Sequence, residues 1–144
     1  MDETTSIRSI YLEPADGRAA VQPRAGQHLP VRVTLADGTR QTRVYTLSMA
    51  PASGFYRISV KRHGRVSGHL HALEPGAVIE ALEPAGGFTL DADERRPAVL
   101  LAAGIGITPL LAMLHHIVRE GRSAQEVRPV SYTHLRAHET KANL

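Results

Sequence analysis

Thr42-Arg43-Val44-Tyr45-Thr46-Leu47-Ser48 is the stretch on which the reading of this chain turns. Its β-branched and aromatic residues predict a strand. Residues two apart on a strand leave the same face, so Arg43 and Tyr45 share a side, and Thr46 points the other way unless the strand twists. A guanidinium pairs bidentately with phosphate oxygens. An aromatic ring stacks on a flat heterocycle for about 1–3 kcal/mol, by analogy with nucleobases. The set suits a flavin nucleotide, with Arg43 on a phosphate, Tyr45 on the ring, and Thr46 at the reacting edge through its hydroxyl or backbone. Alone, the same residues describe an ordinary strand with one exposed arginine, so the neighbouring segments must decide.

Outward from that strand, Ser6–Leu12 and His28–Leu35 alternate or carry β-branched residues, and Tyr56, Ile58 and Val60 alternate with Arg57, Ser59 and Lys61 across Tyr56–Arg62. Ala36-Asp37-Gly38-Thr39 is a turn signal that predicts a hairpin, and Ala50-Pro51-Ala52-Ser53-Gly54 reads as a loop. A short helix is expected over Ser67–Leu73, capped by Ser67 and stopped by Pro75-Gly76, followed by a fifth strand over Val78–Leu82. Short strands at this spacing with one brief helix predict a closed antiparallel barrel. Arg62-His63-Gly64-Arg65-Val66-Ser67 leads into the helix start, whose free N–H groups suit a pyrophosphate; a plain capped helix reads the same way.

The pattern changes after the polar connector Asp91–Pro97, which sets a domain boundary between residues 94 and 95. Ala98–Ala103 is apolar on both faces, predicting a strand covered by helices on each side. Gly104-Ile105-Gly106-Ile107-Thr108-Pro109 then turns into a helix with Leu110, Met113, Leu114, Ile117 and Val118 at helical spacing, Pro109 in its first turn and Gly121 at its end. Gly106 allows close backbone approach to a ligand, and Thr108 offers a hydroxyl to a phosphate or nicotinamide. Pro109 stands where the Rossmann pattern expects a third glycine, and no P-loop lysine follows, which argues against an ATPase. Tight strand–helix packing without a ligand is the competing explanation. No returning parallel strand is expected before the chain ends.

With 144 residues, 42% hydrophobic and 22% charged, the chain reads as a globular protein. Its net charge of +3 is scattered, with no basic block interleaved with aromatics, so no nucleic-acid partner is expected. The absence of cysteine excludes disulfides, thiolate nucleophiles and iron–sulfur ligation within the chain. No apolar run approaches membrane-spanning length and the N-terminus has no signal-peptide pattern, so no membrane partner is expected and the cytoplasm is the expected location. The histidines His69, His71, His115 and His116 have no third ligand at useful spacing, so no metal is expected and solvated or capping roles are. Val130–Leu144 matches a reading frame through a transposase sequencing adapter, so residues 130–144 are expected to be non-native.

Taken in order, Gly26-Gln27-His28, Arg43-Val44-Tyr45-Thr46-Leu47-Ser48, Tyr56–Arg62, Gly64-Arg65-Val66-Ser67, Gly86-Gly87-Phe88 and the Gly104–Pro109 turn resemble the ferredoxin–NADP reductase superfamily. The likeness is strongest to the reductase modules of flavohaemoproteins and oxygenase systems. It implies a six-stranded antiparallel Greek-key barrel over residues 1–94 that binds FAD, or FMN in some branches. Residues 95–129 then begin an α/β domain for NAD(P)H. It further implies that Arg43 holds flavin phosphate, Tyr45 stacks on the ring and Thr46 approaches N5. Val60, Lys61, Val66 and Ser67 line the ribityl and pyrophosphate, and Gly104, Gly106, Thr108 and Pro109 meet the nicotinamide nucleotide. Hydride passes from NAD(P)H to flavin, and electrons leave singly to a haem or 2Fe-2S acceptor domain or protein. Thr46 stands for the commoner serine and keeps the hydroxyl, whereas Gly87 stands where relatives often carry an acid.

Overall fold

The computed structural model describes residues 6–90, 98–121 and 127–132, the last six through their backbone. The element order is β1 (Ile7–Leu12), β2 (His28–Thr34), β3 (Arg40–Thr46), β4 (Tyr56–Lys61), α1 (Arg65–His71), β5 (Glu80–Ala81), β6 (Ala98–Ala103), α2 (Ile107–Arg119) and β7 (Val127–Tyr132). A single 3-10 turn, Gly104–Gly106, joins β6 to α2.

The strands before residue 90 form two antiparallel sheets, β1–β4 and β3–β2–β5. An isolated bridge between Leu47 and Ile58 links them. The spatial order β1-β4-β3-β2-β5 places β1 beside the last strand of a three-strand meander, which is a Greek key. The β2–β3 hairpin closes as expected at Ala36–Thr39: Leu35 N–H donates to Thr39 O, Gly38 N–H donates to Leu35 O, and Gly38 sits at φ 79. Period-two alternation puts Leu29, Val31 and Val33 of β2 into the core with Ile58 and Val60 of β4, while Leu47, Val66 and Leu70 close it. Each such side chain contributes on the order of 1.5–3 kcal/mol through burial.

Two expectations for this part are corrected. The fifth strand is only Glu80–Ala81, not Val78–Leu82, because the next ladder position on β2 is Pro30. Leu82 N–H donates to Pro30 O at 2.9 Å, but proline has no N–H to return the bond, so the ladder stops. Beyond β5, His28 and Ala85 form an isolated bridge and exchange both backbone bonds at 2.9 Å. Helix α1 also begins earlier than expected, at Arg65 with Gly64 as N-cap. Gly64 has φ 91, in the left-handed region that favours glycine. Ser67 does not cap from outside; it lies in the first turn, where its Oγ accepts from His63 N–H at 2.7 Å and donates to Gly64 O at 3.2 Å.

In the second part, α2 buries Leu110, Met113 and Ile117 against Leu100 and Ala102 of β6 and against Ala25 of the first part. Val118, expected inside, is exposed, since one helical step of about 100° carries it past the edge of the apolar stripe. Two-sided cover of β6 is likewise corrected: Leu100 and Ala102 are buried, but Val99 and Leu101 on the opposite face are 63% and 71% exposed. A returning strand does follow, contrary to expectation. β7 pairs in parallel with β6 from Ala98↔Val127 to Ala103↔Tyr132, and so runs three residues into the suspected tail. Valine and tyrosine favour extended backbone, and a parallel partner beside β6 is what a strand–helix–strand return supplies. Pro129 is accommodated because β7 has no second neighbour among the described strands. The polar connector 91–97, and with it the exact domain boundary, lies outside the described residues.

Candidate functional site

Arg43 and Tyr45 share one face of β3, as the strand period requires. Tyr45 is partly buried against the first core. Burial raises the pKa of its phenol, and the positive charge of Arg43 draws it back, which places the guanidinium within electrostatic reach of the ring. The Arg43 guanidinium is exposed and donates only locally, to Thr42 O at 2.9 Å and Gln41 Oε1 at 3.1 Å. Its neighbours are differently placed. Arg32 and Arg40 pair with Glu80, Arg65 with Asp37, and Arg18 with Asp16. Among the described residues no carboxylate pairs with Arg43, so its charge is available to an anion.

The Arg65–Asp37 pair ties the start of α1 to the β2–β3 turn. Arg65 and the Thr39 backbone N–H hold the Asp37 carboxyl well below the usual carboxylate range. Along β3 the sequence is therefore the turn with the docked end of α1, then Arg43, then Tyr45 and Thr46. That linear order matches a ligand with phosphates at one end and a ring at the other. Gly64, Gly104 and Gly106 each have open space where a Cβ would stand, so backbone is accessible at all three.

Val60 and Lys61 end β4 close to α1. The Val60 side chain is fully buried in the core, leaving only its backbone for a ligand, whereas Lys61 is exposed. The Val60 carbonyl already accepts from His71 Nε2 at 2.8 Å, which assigns the ring proton to that nitrogen. Arg8 Nη1 in turn donates to His71 O. This histidine was expected to be a solvated or capping residue, yet it cross-links α1 to β4. The pairing of positions so far apart in sequence has no local signal. Val66 and Ser67 are both buried, and the Ser67 hydroxyl is committed to His63 and Gly64, so these two residues offer backbone N–H groups.

The other motifs converge on Thr46. It faces His28 across the β2–β3 ladder, and Leu47 N–H donates to Gln27 O at 3.0 Å. Gln27 Nε2 donates to Gly86 O at 3.3 Å, which brings the Gly86–Phe88 turn alongside. A Cβ on Gly86 would stand 2.8 Å from the His28 ring, and one on Gly26 would stand 2.1 Å from Phe88 O and 2.5 Å from Met113 Cε. These glycines permit close packing of the barrel, the turn and α2. Just inside, the buried Ser48 donates to Arg57 O at 3.2 Å, accepts from Arg57 Nε at 3.0 Å, and lies 3.2 Å from Ser59 Oγ. This hydroxyl pair escaped sequence reading because Ser48, after β3, and Ser59, in β4, show no common spacing. Thr108 is buried in the first turn of α2, and Gly104 has φ 54, as a tight strand-to-helix turn requires. No cluster able to hold a metal ion occurs among the described residues, and no helix among them is long and apolar enough to cross a membrane.

An exposed arginine without an acid partner among the described residues, a half-buried ring two residues on, accessible glycine backbone and a mainly β Greek key suit a nucleotide-binding domain. Residues 4–90 match the oxidoreductase FAD-binding domain family, and the chain belongs to it. It is 46% identical over 123 residues to the flavohemoprotein of Bordetella pertussis, covering 80% of this chain and 31% of that protein. The flavohem-like FAD/NAD binding domain of a nitric oxide dioxygenase from Vibrio cholerae superposes with a TM-score of 0.80 at 35% identity, covering 90% of this chain and 57% of that one. A flavohemoglobin from Malassezia yamatoensis, solved with bound FAD and heme, gives a TM-score of 0.77 at 30% identity over 91% of this chain and 35% of that one. The chain thus spans about a third of the curated relatives' length. The residues present fit FAD: Arg43, with no acid partner among the described residues, for a phosphate, the Tyr45 ring for stacking, and open backbone at Gly64.

Proposed function

We propose that this chain is the flavin-binding portion of an NAD(P)H oxidoreductase that passes electrons to a haem or iron–sulfur acceptor. The observation that carries the reading is Arg43, exposed and without an acid partner among the described residues, on the same strand face as the partly buried Tyr45. In this reading Arg43 binds a flavin phosphate and Tyr45 orients the ring, while Thr46 places its hydroxyl or backbone beside the reacting edge. The backbones of Val60, Lys61, Val66 and Ser67 line the chain between ring and phosphates. Gly104, Gly106 and Pro109 form the surface that meets the nicotinamide nucleotide, and Thr108, being buried, acts through the backbone of its helix turn. FAD, or FMN if it is the flavin, supplies conversion of a two-electron hydride into single electrons; the protein supplies position and electrostatics. The haem partner is favoured by the relatives, whose names join flavin and haem in one molecule. We place the reaction in the cytoplasm, the compartment expected from the sequence. Residues 1–94 form the flavin domain of this reading and 95–129 the start of the nicotinamide domain.

The test is anaerobic visible spectroscopy of the purified chain with FAD, before and after NADH or NADPH. Retained yellow colour that bleaches with either nucleotide supports the reading. A chain that stays colourless in FAD and in FMN refutes it. Retained colour that neither nucleotide bleaches supports a second reading, a flavin-binding unit without reductase activity. The exposed Val99 and Leu101 face of β6 favours that alternative, because the nicotinamide side is covered on one face only.

A further inference from the structure

A cavity lies apart from the residues assigned to the flavin. It encloses about 670 Å³ between the segment following β1 and the segment containing β5. Drug-sized ligands occupy cavities of about 300–1,000 Å³. None of Arg43, Tyr45, Thr46, Val66, Ser67 or the Gly104–Pro109 turn lines it. It sits at the Leu12↔Tyr56 end of the β1–β4 ladder, whereas α1 follows the Ile7↔Lys61 end.

The lining has two characters. Leu29, fully buried, belongs to both the core and the cavity wall, and the exposed apolar residues Val21, Val78 and Leu82 gather around it. Apolar residues exposed singly are ordinary, but several converging on one hollow mark a surface that is covered in use. Tyr56, which packs on the core from the same sheet face as Leu12, lends the wall an aromatic ring. Tyr56 is held in place because its hydroxyl donates to Val21 O at 2.8 Å.

Charge supplies the other character. The cavity wall carries Glu13, Asp16 and Glu83 against one cation, Arg18. Arg18 is spent on Asp16 in an ion pair of 2.6 Å. Neither Glu13 nor Glu83 is in an ion pair among the described residues. Burial raises the Tyr56 phenol pKa, the Val21 bond opposes this, and the Glu83 carboxylate, on the same cavity wall, raises it further. An apolar hollow with an aromatic ring and carboxylates that have no ion-pair partner among the described residues selects positive charge on an apolar body.

We propose that this cavity is a binding site for a small organic cation with an apolar body, an aryl or alkyl ammonium, independent of the flavin. Glu83 and the face of Tyr56 receive the ammonium, and Val78, Leu82 and Val21 receive the apolar part.

Titration calorimetry on the full chain in the presence of FAD tests this with three probes of one ring size: benzyltrimethylammonium, benzyl alcohol and phenylacetate. The cation should bind at least about tenfold more tightly than the alcohol, and phenylacetate more weakly than either; added salt should narrow the gap. Glu83→Gln, a change at an exposed position, should weaken the cation about threefold to fivefold and leave benzyl alcohol unchanged. Ala77→Trp should fill the hollow and remove binding of both while FAD absorbance is kept. No cation binding at millimolar concentration, equal binding of the anion, or an unaltered cation affinity in Glu83→Gln would overturn the proposal. Because no flavin residue lines the cavity, its outcome is separable from that of the reductase reading.

Discussion

Replacing Gly26 by alanine should destabilise the protein more than any other Gly→Ala change outside the flavin residues. Gly26 has φ 100, where an L side chain costs about 1–2 kcal/mol. An added Cβ would also stand 2.1 Å from Phe88 O and 2.5 Å from Met113 Cε. Met113 has a flexible end that swings away, but Phe88 O is backbone in a turn tied by Gln27 to Gly86 O and by Leu90 N–H to Ala25 O, so the chain itself must shift. Overpacking of this kind costs about 1–3 kcal/mol, giving about 2–5 kcal/mol in all. At roughly 3 °C per kcal/mol for a domain of this size, the midpoint should fall by about 6–15 °C. Gly54→Ala is the control: φ is 78 but nothing lies within 4 Å of its Cβ, so only the backbone cost of about 1–2 kcal/mol remains. Thermal melts followed by far-ultraviolet circular dichroism measure both. Combining Gly26→Ala with Met113→Ala should recover none of the Phe88 component. Equal midpoints for Gly26→Ala and Gly54→Ala would refute the close-packed turn.

Further outcomes follow from the site and the core. Arg43→Gln should raise the FAD dissociation constant about tenfold to a hundredfold, the loss of about 1.5–3 kcal/mol expected for a charge-assisted bond. Its melting temperature without flavin should be unchanged, since the side chain is exposed; fluorescence titration of FAD reads the first and a melt the second. Tyr45→Phe should keep FAD and Tyr45→Ala should lose about 1–3 kcal/mol of its binding, because the ring and not the hydroxyl is used; equal losses would argue against stacking. Ile58→Ala, at a fully buried position, should cost about 2–5 kcal/mol in a denaturant melt. The Asp37 carboxyl has a depressed folded pKa, so the stability it adds is complete above the ordinary carboxylate value of about 4 and fades as pH falls through the folded one. Wild type and Asp37→Asn should therefore differ at pH 7 and converge in strong acid; a difference that grows on acidification would contradict the assigned sign.

What could be read from the chain alone was what depends on near neighbours. The Leu29-Val31-Val33 alternation, the Asp37-Gly38 turn and the Leu110-Met113-Ile117 stripe each contain their own signal within one element. The order of motifs likewise reported the family. The readings that failed depend on partners far off in sequence. Pro30 looks harmless inside β2 and shortens β5 only once the register sets it opposite Leu82. The exposed side of β6 could not be foreseen, because cover depends on what packs there and not on the composition of Ala98–Ala103. Within the site, residue types were legible at Arg43 and Tyr45, but that Arg43 has no counter-ion among the described residues, beside Arg32 and Arg40 that share Glu80, is a property of the folded surface. His71 on the Val60 carbonyl is the same kind of fact.

The lone bridge at Leu47–Ile58 leaves a seam between the two sheets. Amides of β3 that point towards β2 are locked in its ladder, while those on the opposite edge have no such lock among the described residues. Protection against solvent deuterium should therefore alternate along Arg40–Thr46, fast next to slow. That seam adjoins the strand carrying Arg43 and Tyr45, so a flat molecule laid along it would act as a stave between the two sheets.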